Sequence, residues 1–186
     1  MSQTIETNNL VSQYGDYLTA NKFVFTVFYR GHWCPFCQQY LHTLEQLQKA
    51  VAAEGGKVLA ITAESGEHLQ AKRDASGYTG EVIVDTENKI AAELRLRKLL
   101  DVAITEKKGY PHGMAQPAFI THDSERKIYD SWAIVPSVMN LGGAKDRPDL
   151  KQVWDNVEAQ LHGRPKVHQK YSLQTFTRMI LKKLFG

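Results

Sequence analysis

The most constraining feature of this chain is an abrupt change of period around residues 30–37. Before it, residues 22–29 read Lys-Phe-Val-Phe-Thr-Val-Phe-Tyr, β-branched and aromatic with almost no polar alternation. Such a run suits a strand covered on both faces, as in a largely parallel sheet. After it, Leu41, Leu44, Leu47, Ala50 and Val51 recur at helical spacing until Gly55 and Gly56 stop the pattern. Between the two lies Arg30-Gly31-His32-Trp33-Cys34-Pro35-Phe36-Cys37. Cys34 therefore stands where a buried strand gives way to a helix. Pro35 falls in the first turn, where its missing N–H costs nothing.

The alternation continues along the chain. Leu10, Val11, Tyr14, Tyr17 and Leu18 predict an amphipathic helix over about 8–20. Residues 57–62 predict a second buried strand, 66–75 a helix, 82–84 a short strand and 90–100 a further helix. A breaker-rich stretch at 109–117 opens onto two runs, 118–121 and 127–134, that predict an edge hairpin. Pro148 is expected to open a helix carrying Leu150, Val153, Trp154, Val157 and Leu161, with Gly163 at its end. Strand and helix in this order predict an α/β domain, a central mixed β-sheet flanked by helices on both faces.

Composition narrows the functional classes. At 186 residues, with 42% apolar and 23% charged residues, the chain has the profile of one ordinary globular domain rather than a disordered or fibrous one. No apolar run approaches the roughly 18 residues of a membrane span, and the first residues lack a basic start and an apolar stretch. The expectation is a cytoplasmic protein. Residues 163–186 carry six basic side chains, Arg164, Lys166, Lys170, Arg178, Lys182 and Lys183, and no acidic ones. Leu173, Phe176, Ile180, Leu181, Leu184 and Phe185 recur there at helical spacing. The expected division is a domain at 1–163 and a basic, amphipathic C-terminal helix within 164–186. That helix docks on the domain or on a second copy in a homodimer, or else lies on an anionic membrane surface. No interleaving of basic and aromatic residues elsewhere suggests a nucleic-acid groove.

Cys34 and Cys37 are the only cysteines. Two residues apart, they cannot staple distant parts of a fold, so they are structural thiols, metal ligands or a redox pair. A zinc or iron–sulfur site needs two further ligands, for which only His32 and His112 are at hand, and no metal is expected. Redox chemistry fits the placement best. A helix N-terminus favours a thiolate, which lowers the pKa of Cys34, and Cys37 lies within reach to attack a mixed disulfide. His32 is a candidate proton shuttle, Trp33 a lid and Arg30 an electrostatic support for a thiolate.

The stretch 28–37, the strand at 58–63 and Gln116-Pro117-Ala118-Phe119-Ile120 together resemble the thioredoxin-fold superfamily, in particular its peroxiredoxin-like branch, the redoxin or alkyl hydroperoxide reductase/thiol-specific antioxidant proteins. The resemblance covers about residues 8–135. It implies a thioredoxin-like fold and a cis-proline at Pro117 lying against the cysteines, with Gln116 beside it. It also implies a thiol oxidoreductase without a dissociable cofactor, drawing electrons from a dithiol protein or glutathione. The chain departs from the family at several points. No acid stands in 25–28, which leaves Glu64 or His32 as proton acceptors. In the peroxiredoxin pattern the peroxide-attacking cysteine falls at Cys37, its threonine is replaced by Cys34 and its proline by Arg30. The peroxide-polarising arginine expected near Gln116 is missing from that stretch. Two enzyme readings follow: disulfide exchange initiated by Cys34, or peroxide reduction initiated by Cys37. A third is a non-catalytic redox sensor acting through the basic tail.

Overall fold

Six consecutive buried residues, Phe23–Phe28, form the central strand β1 in a computed structural model of the protein, which describes residues 3–174. Strand β1 pairs in parallel with β2 (Gly56–Thr62) and antiparallel with β6 (Ala118–His122). The short β3 (Glu81–Val84) extends the sheet in parallel beyond β2, and β7 (Ile128–Ala133) closes the other edge as the hairpin partner of β6. The order β3-β2-β1-β6-β7 is a mixed sheet with the apolar run at 23–28 in the middle.

Alternation along β1 feeds two cores. Phe23, Phe25 and Val27 pack with residues of α2 (Pro35–Ala53) and α5 (Leu150–Leu161), among them Tyr40, Leu41, Leu44 and Trp154. Val24 and Phe28 face the other way, into a cluster with Tyr14 of α1 (Gln3–Ala20) and Ile90, Ala91 and Leu94 of α4 (Lys89–Leu96). Successive strand side chains point to opposite faces, so a strand sandwiched between helices must be apolar at every position. The helix α3 (Leu69–Ser76) follows a short 3-10 turn at Gly66–His68.

Several expectations shift in detail. The helix expected over 90–100 ends at Leu96, and Lys98 turns the chain through a left-handed conformation (φ 57°). The breaker-rich stretch contains a small ribbon, β4 (Ile104–Thr105) with β5 (Met114–Ala115). Pro148 does not open the last helix. It belongs to β8 (Arg147–Pro148), which pairs antiparallel with β9 (Leu173–Gln174), and Asp149 caps α5 by accepting the Lys151 N–H at 2.9 Å. Leu173, counted in the tail helix, is thus in an extended ribbon, while the rest of that helix lies outside the described residues. Residues 166–173 are tied to the domain: Lys166 pairs with Asp130 at 2.7 Å, the Asn156 amide donates to the His168 carbonyl at 2.9 Å, and Tyr171 donates to Asp130. No helix among the described residues is long and apolar enough to cross a membrane.

Candidate active site

The site is built where β1 ends. Cys34 is the N-cap of α2 in extended backbone conformation, with Pro35 in the first turn, and its carbonyl accepts the N–H groups of Cys37 (2.9 Å) and Gln38 (3.0 Å). This turn places the two free cysteines side by side at the start of α2. Both are buried: Cys34 is 2% exposed and Cys37 fully enclosed.

The residue that organises the pair is Arg147, supplied by β8. Its Nη1 donates to Cys37 Sγ at 3.3 Å and its Nη2 to Cys34 Sγ at 3.6 Å. The guanidinium is fully buried and lies near the rings of Tyr40 (5.7 Å) and Phe36 (6.0 Å). A planar fork with several donors can face two acceptors at once, which a lysine cannot do. The Arg30 backbone N–H adds a third donor, 3.4 Å from Cys37 Sγ.

These contacts divide the pair electrostatically. Burial opposes a thiolate at Cys37, but the Cys34 thiol, the Arg147 charge and the Arg30 N–H together outweigh it and hold Cys37 well below the ordinary thiol value. Cys34, donating to Cys37 and itself buried, is pushed up and stays protonated. The helix N-terminus therefore does not select Cys34 as the sequence predicts. More donors converge on the inner sulfur than on the outer one, and the balance favours the thiolate at Cys37.

The other predicted residues fall around this centre. The Arg30 side chain does not reach the sulfurs: its guanidinium lies over the Trp33 ring at 5.0 Å, and only its main chain serves Cys37. Trp33, 38% exposed, also has Lys107 Nζ over its ring at 4.8 Å, and its indole N–H donates to the Tyr110 hydroxyl at 3.0 Å. His32 pairs with Glu64 rather than with a sulfur: its backbone N–H donates to Oε2 and its Nδ1 lies 2.7 Å from Oε1. Gln116 is buried but donates to Thr105 Oγ1 at 2.6 Å and makes no hydrogen bond to either cysteine. Pro117 precedes β6 as predicted in position but not in isomer, since no peptide bond among the described residues is cis. Its carbonyl accepts the Ile134 N–H at 3.0 Å, part of the ordinary continuation of the hairpin.

Arg147 escaped the sequence because it lies 110 residues beyond Cys37, outside every motif. Its only local mark, an arginine before Pro148 at a helix start, says nothing of where its side chain reaches. Tyr110, which donates to the Arg30 carbonyl at 2.7 Å and so fixes the loop before the cysteines, was likewise hidden in the breaker-rich stretch.

A mixed sheet between two helical layers, with paired cysteines at the first turn of the helix after its central strand, defines a thioredoxin-like thiol protein. The model of the AhpC/TSA family matches residues 5–131, and the chain belongs to that family. Three solved structures show how far the fold is shared. A cysteine-to-serine mutant of peroxiredoxin 6 from Arenicola marina is 16% identical, with 92% of this chain and 80% of that one covered at a TM-score of 0.59. Peroxidoxin BcpB from Mycobacterium tuberculosis is 13% identical, with coverage of 81% and 84% and a TM-score of 0.58. AhpC from Enterococcus faecalis is 16% identical, with coverage of 76% and 75% and a TM-score of 0.57. No curated protein is a significant match in sequence.

Proposed function

We propose that this thiol oxidoreductase is a peroxidase in which Cys37 attacks hydrogen or alkyl hydroperoxides and Cys34 resolves the product. The observation that carries this reading is the Arg147 fork on the two buried sulfurs. It supplies from β8 a guanidinium of the kind that is missing near Gln116. The Cys37 thiolate attacks one peroxide oxygen, the O–O bond breaks, and the departing alkoxide or hydroxide takes up a proton. Arg147 stabilises the thiolate before attack and the charge that moves to the leaving oxygen during it. Cys37 becomes a sulfenic acid. The Cys34 thiol then displaces its oxygen as water, leaving the Cys34–Cys37 disulfide. A dithiol protein or two molecules of glutathione return both cysteines to thiols and are themselves oxidised to a disulfide.

Burial supports a small oxidant. Cys37 is fully enclosed, which favours a small molecule as the oxidant it attacks, while the reductant meets the disulfide at the outer Cys34. The test is to treat reduced Cys34→Ser with one equivalent of hydrogen peroxide in the presence of a sulfenic-acid trap and to map the adduct by mass spectrometry. A stoichiometric adduct on Cys37, with none on Cys34 in the Cys37→Ser variant, is the expected result. An adduct on Cys34, or none with brisk reaction toward small disulfides through Cys34, would return the protein to the disulfide-exchange reading.

A further inference from the structure

Beside the cysteine loop, a cleft of about 310 Å³ opens between the end of β2, the 3-10 turn and the loop at 107–110. Three side chains with metal-ligating atoms meet in its wall. His32 comes from the loop after β1, Glu64 from the end of β2 and His68 from the turn before α3, and one ligand atom from each lies within 4.8 Å of the other two. The imidazoles of His32 and His68 stack at 4.4 Å with 26° between their planes.

We propose that His32, Glu64 and His68 form a binding site for a divalent transition-metal ion of the Zn²⁺ class. Two imidazoles and one carboxylate are a ligand set that such ions favour over Mg²⁺ or Ca²⁺. Glu64 is only 5% exposed, and among the described residues no lysine or arginine pairs with it. Its one ionic partner is His32, so the carboxylate has no permanent counter-charge, and a buried carboxylate calls for one.

Two of the three ligands need little adjustment. His32 Nδ1 and Glu64 Oε1 are 2.7 Å apart. Two ligands on a tetrahedral zinc at its usual bond lengths stand about 3.3 Å apart. An opening of roughly half an ångström would thus replace the hydrogen bond by an ion held between the same two atoms, and His68 turns out of its stacked position to point a ring nitrogen at that ion. Glu64 is already oriented by the His32 backbone N–H at 2.7 Å, which supplies the supporting hydrogen bond that fixes a carboxylate ligand. Three protein ligands leave one tetrahedral position facing the cleft, toward Lys107 and Tyr110, where water or a small anion can bind. The proposal rests on these three side chains and not on the peroxidase reading.

Free thiols also bind zinc, so the experiment uses the full-length Cys34→Ser/Cys37→Ser protein. Co²⁺ is titrated while its visible d–d absorption is followed, and Zn²⁺ is then added as competitor. The expected result is one equivalent of Co²⁺ with the absorption of a low-coordinate nitrogen–oxygen site, displaced by Zn²⁺, and weakened at least tenfold by His68→Ala. The His68 side chain is 40% exposed, so this variant keeps the fold. Glu64→Gln, checked for native circular dichroism, is expected to weaken binding similarly. Binding unaffected by His68→Ala, or seen only in protein that retains its cysteines, would overturn the site.

Discussion

Arg147 is a buried cation whose facing acceptors are two sulfurs, and its removal tests what it holds in place. In Arg147→Met the charge that favours the Cys37 thiolate is lost while burial remains, so the thiol value of Cys37 rises. Followed by ultraviolet thiolate absorbance, the titration midpoint is expected to move upward, and the rate with hydrogen peroxide at neutral pH to fall by about 10²-fold, the usual effect of removing one preorganised donor. Arg147→Lys recovers only part, because a point charge cannot face both sulfurs. Gly31 gives a second prediction at this scale. A Cβ there would stand 2.5 Å from Tyr110 Oη, 2.6 Å from Glu64 Oε1 and 2.6 Å from Trp33 Nε1. Gly31→Ala is therefore expected to lose about 1–3 kcal/mol in chemical denaturation, and to redden and weaken Trp33 fluorescence as the indole leaves Tyr110. Both residues show the limit of sequence reading. Gly31 looked like part of a motif, yet its constraint comes from Tyr110 and Glu64, which reach it from distant segments.

Between elements, the packing of α1 on the sheet passes through His122 of β6. Its Nδ1 lies 2.9 Å from the Asp123 carbonyl, which requires the proton on that nitrogen, and its Nε2 accepts the Tyr14 hydroxyl at 2.9 Å. Burial lowers the folded-state value of His122 below the ordinary 6.5. The unfolded chain then binds more protons than the native one as pH falls through 6.5, so native stability is expected to decrease on acidification below that point. Urea denaturation at pH 7.5 and 5.5 measures it, and His122→Gln should flatten the His122 part of the difference. The elements themselves were largely legible. The runs at 22–29, 57–62 and 118–121 have no other stable use than covered strands, and the heptad-like leucines after Cys37 have none other than a helix. The ribbons were not legible, because two-residue strands carry no period. Neither was the true start of α5: Pro148 satisfies the rule for a first helical position, but Asp149 is the better cap and the pairing of Arg147 with Gln174 holds the residues before it extended.

In the whole molecule, Arg147 joins the cysteines to the C-terminal ribbon of the described chain. Arg147 pairs with Gln174, and the Asp149 N–H donates to the Ser172 carbonyl at 2.9 Å, so the ribbon β8–β9 is anchored through one side chain to the redox centre. Oxidation to the disulfide removes the thiolate and leaves a buried guanidinium without an anion, a costly arrangement. Hydrogen exchange at Asp149 is accordingly expected to quicken in the disulfide form relative to the dithiol form, with the strands β1 and β2 unchanged. The family was legible in the sequence and the cysteine pair stood in view there, but the sulfur favoured as thiolate did not, because on the proposed reading Arg147 favours Cys37 from across the fold, whereas the sequence shows only the helix start that carries Cys34. The most direct measurement is therefore stopped-flow oxidation of the reduced protein by hydrogen peroxide, compared with Arg147→Met and with a protein disulfide as alternative oxidant. If Cys37 is the thiolate held by Arg147, peroxide oxidises the parent far faster than the protein disulfide does, and Arg147→Met loses that advantage. Equal rates with peroxide in parent and variant, or faster oxidation by the protein disulfide, would contradict it.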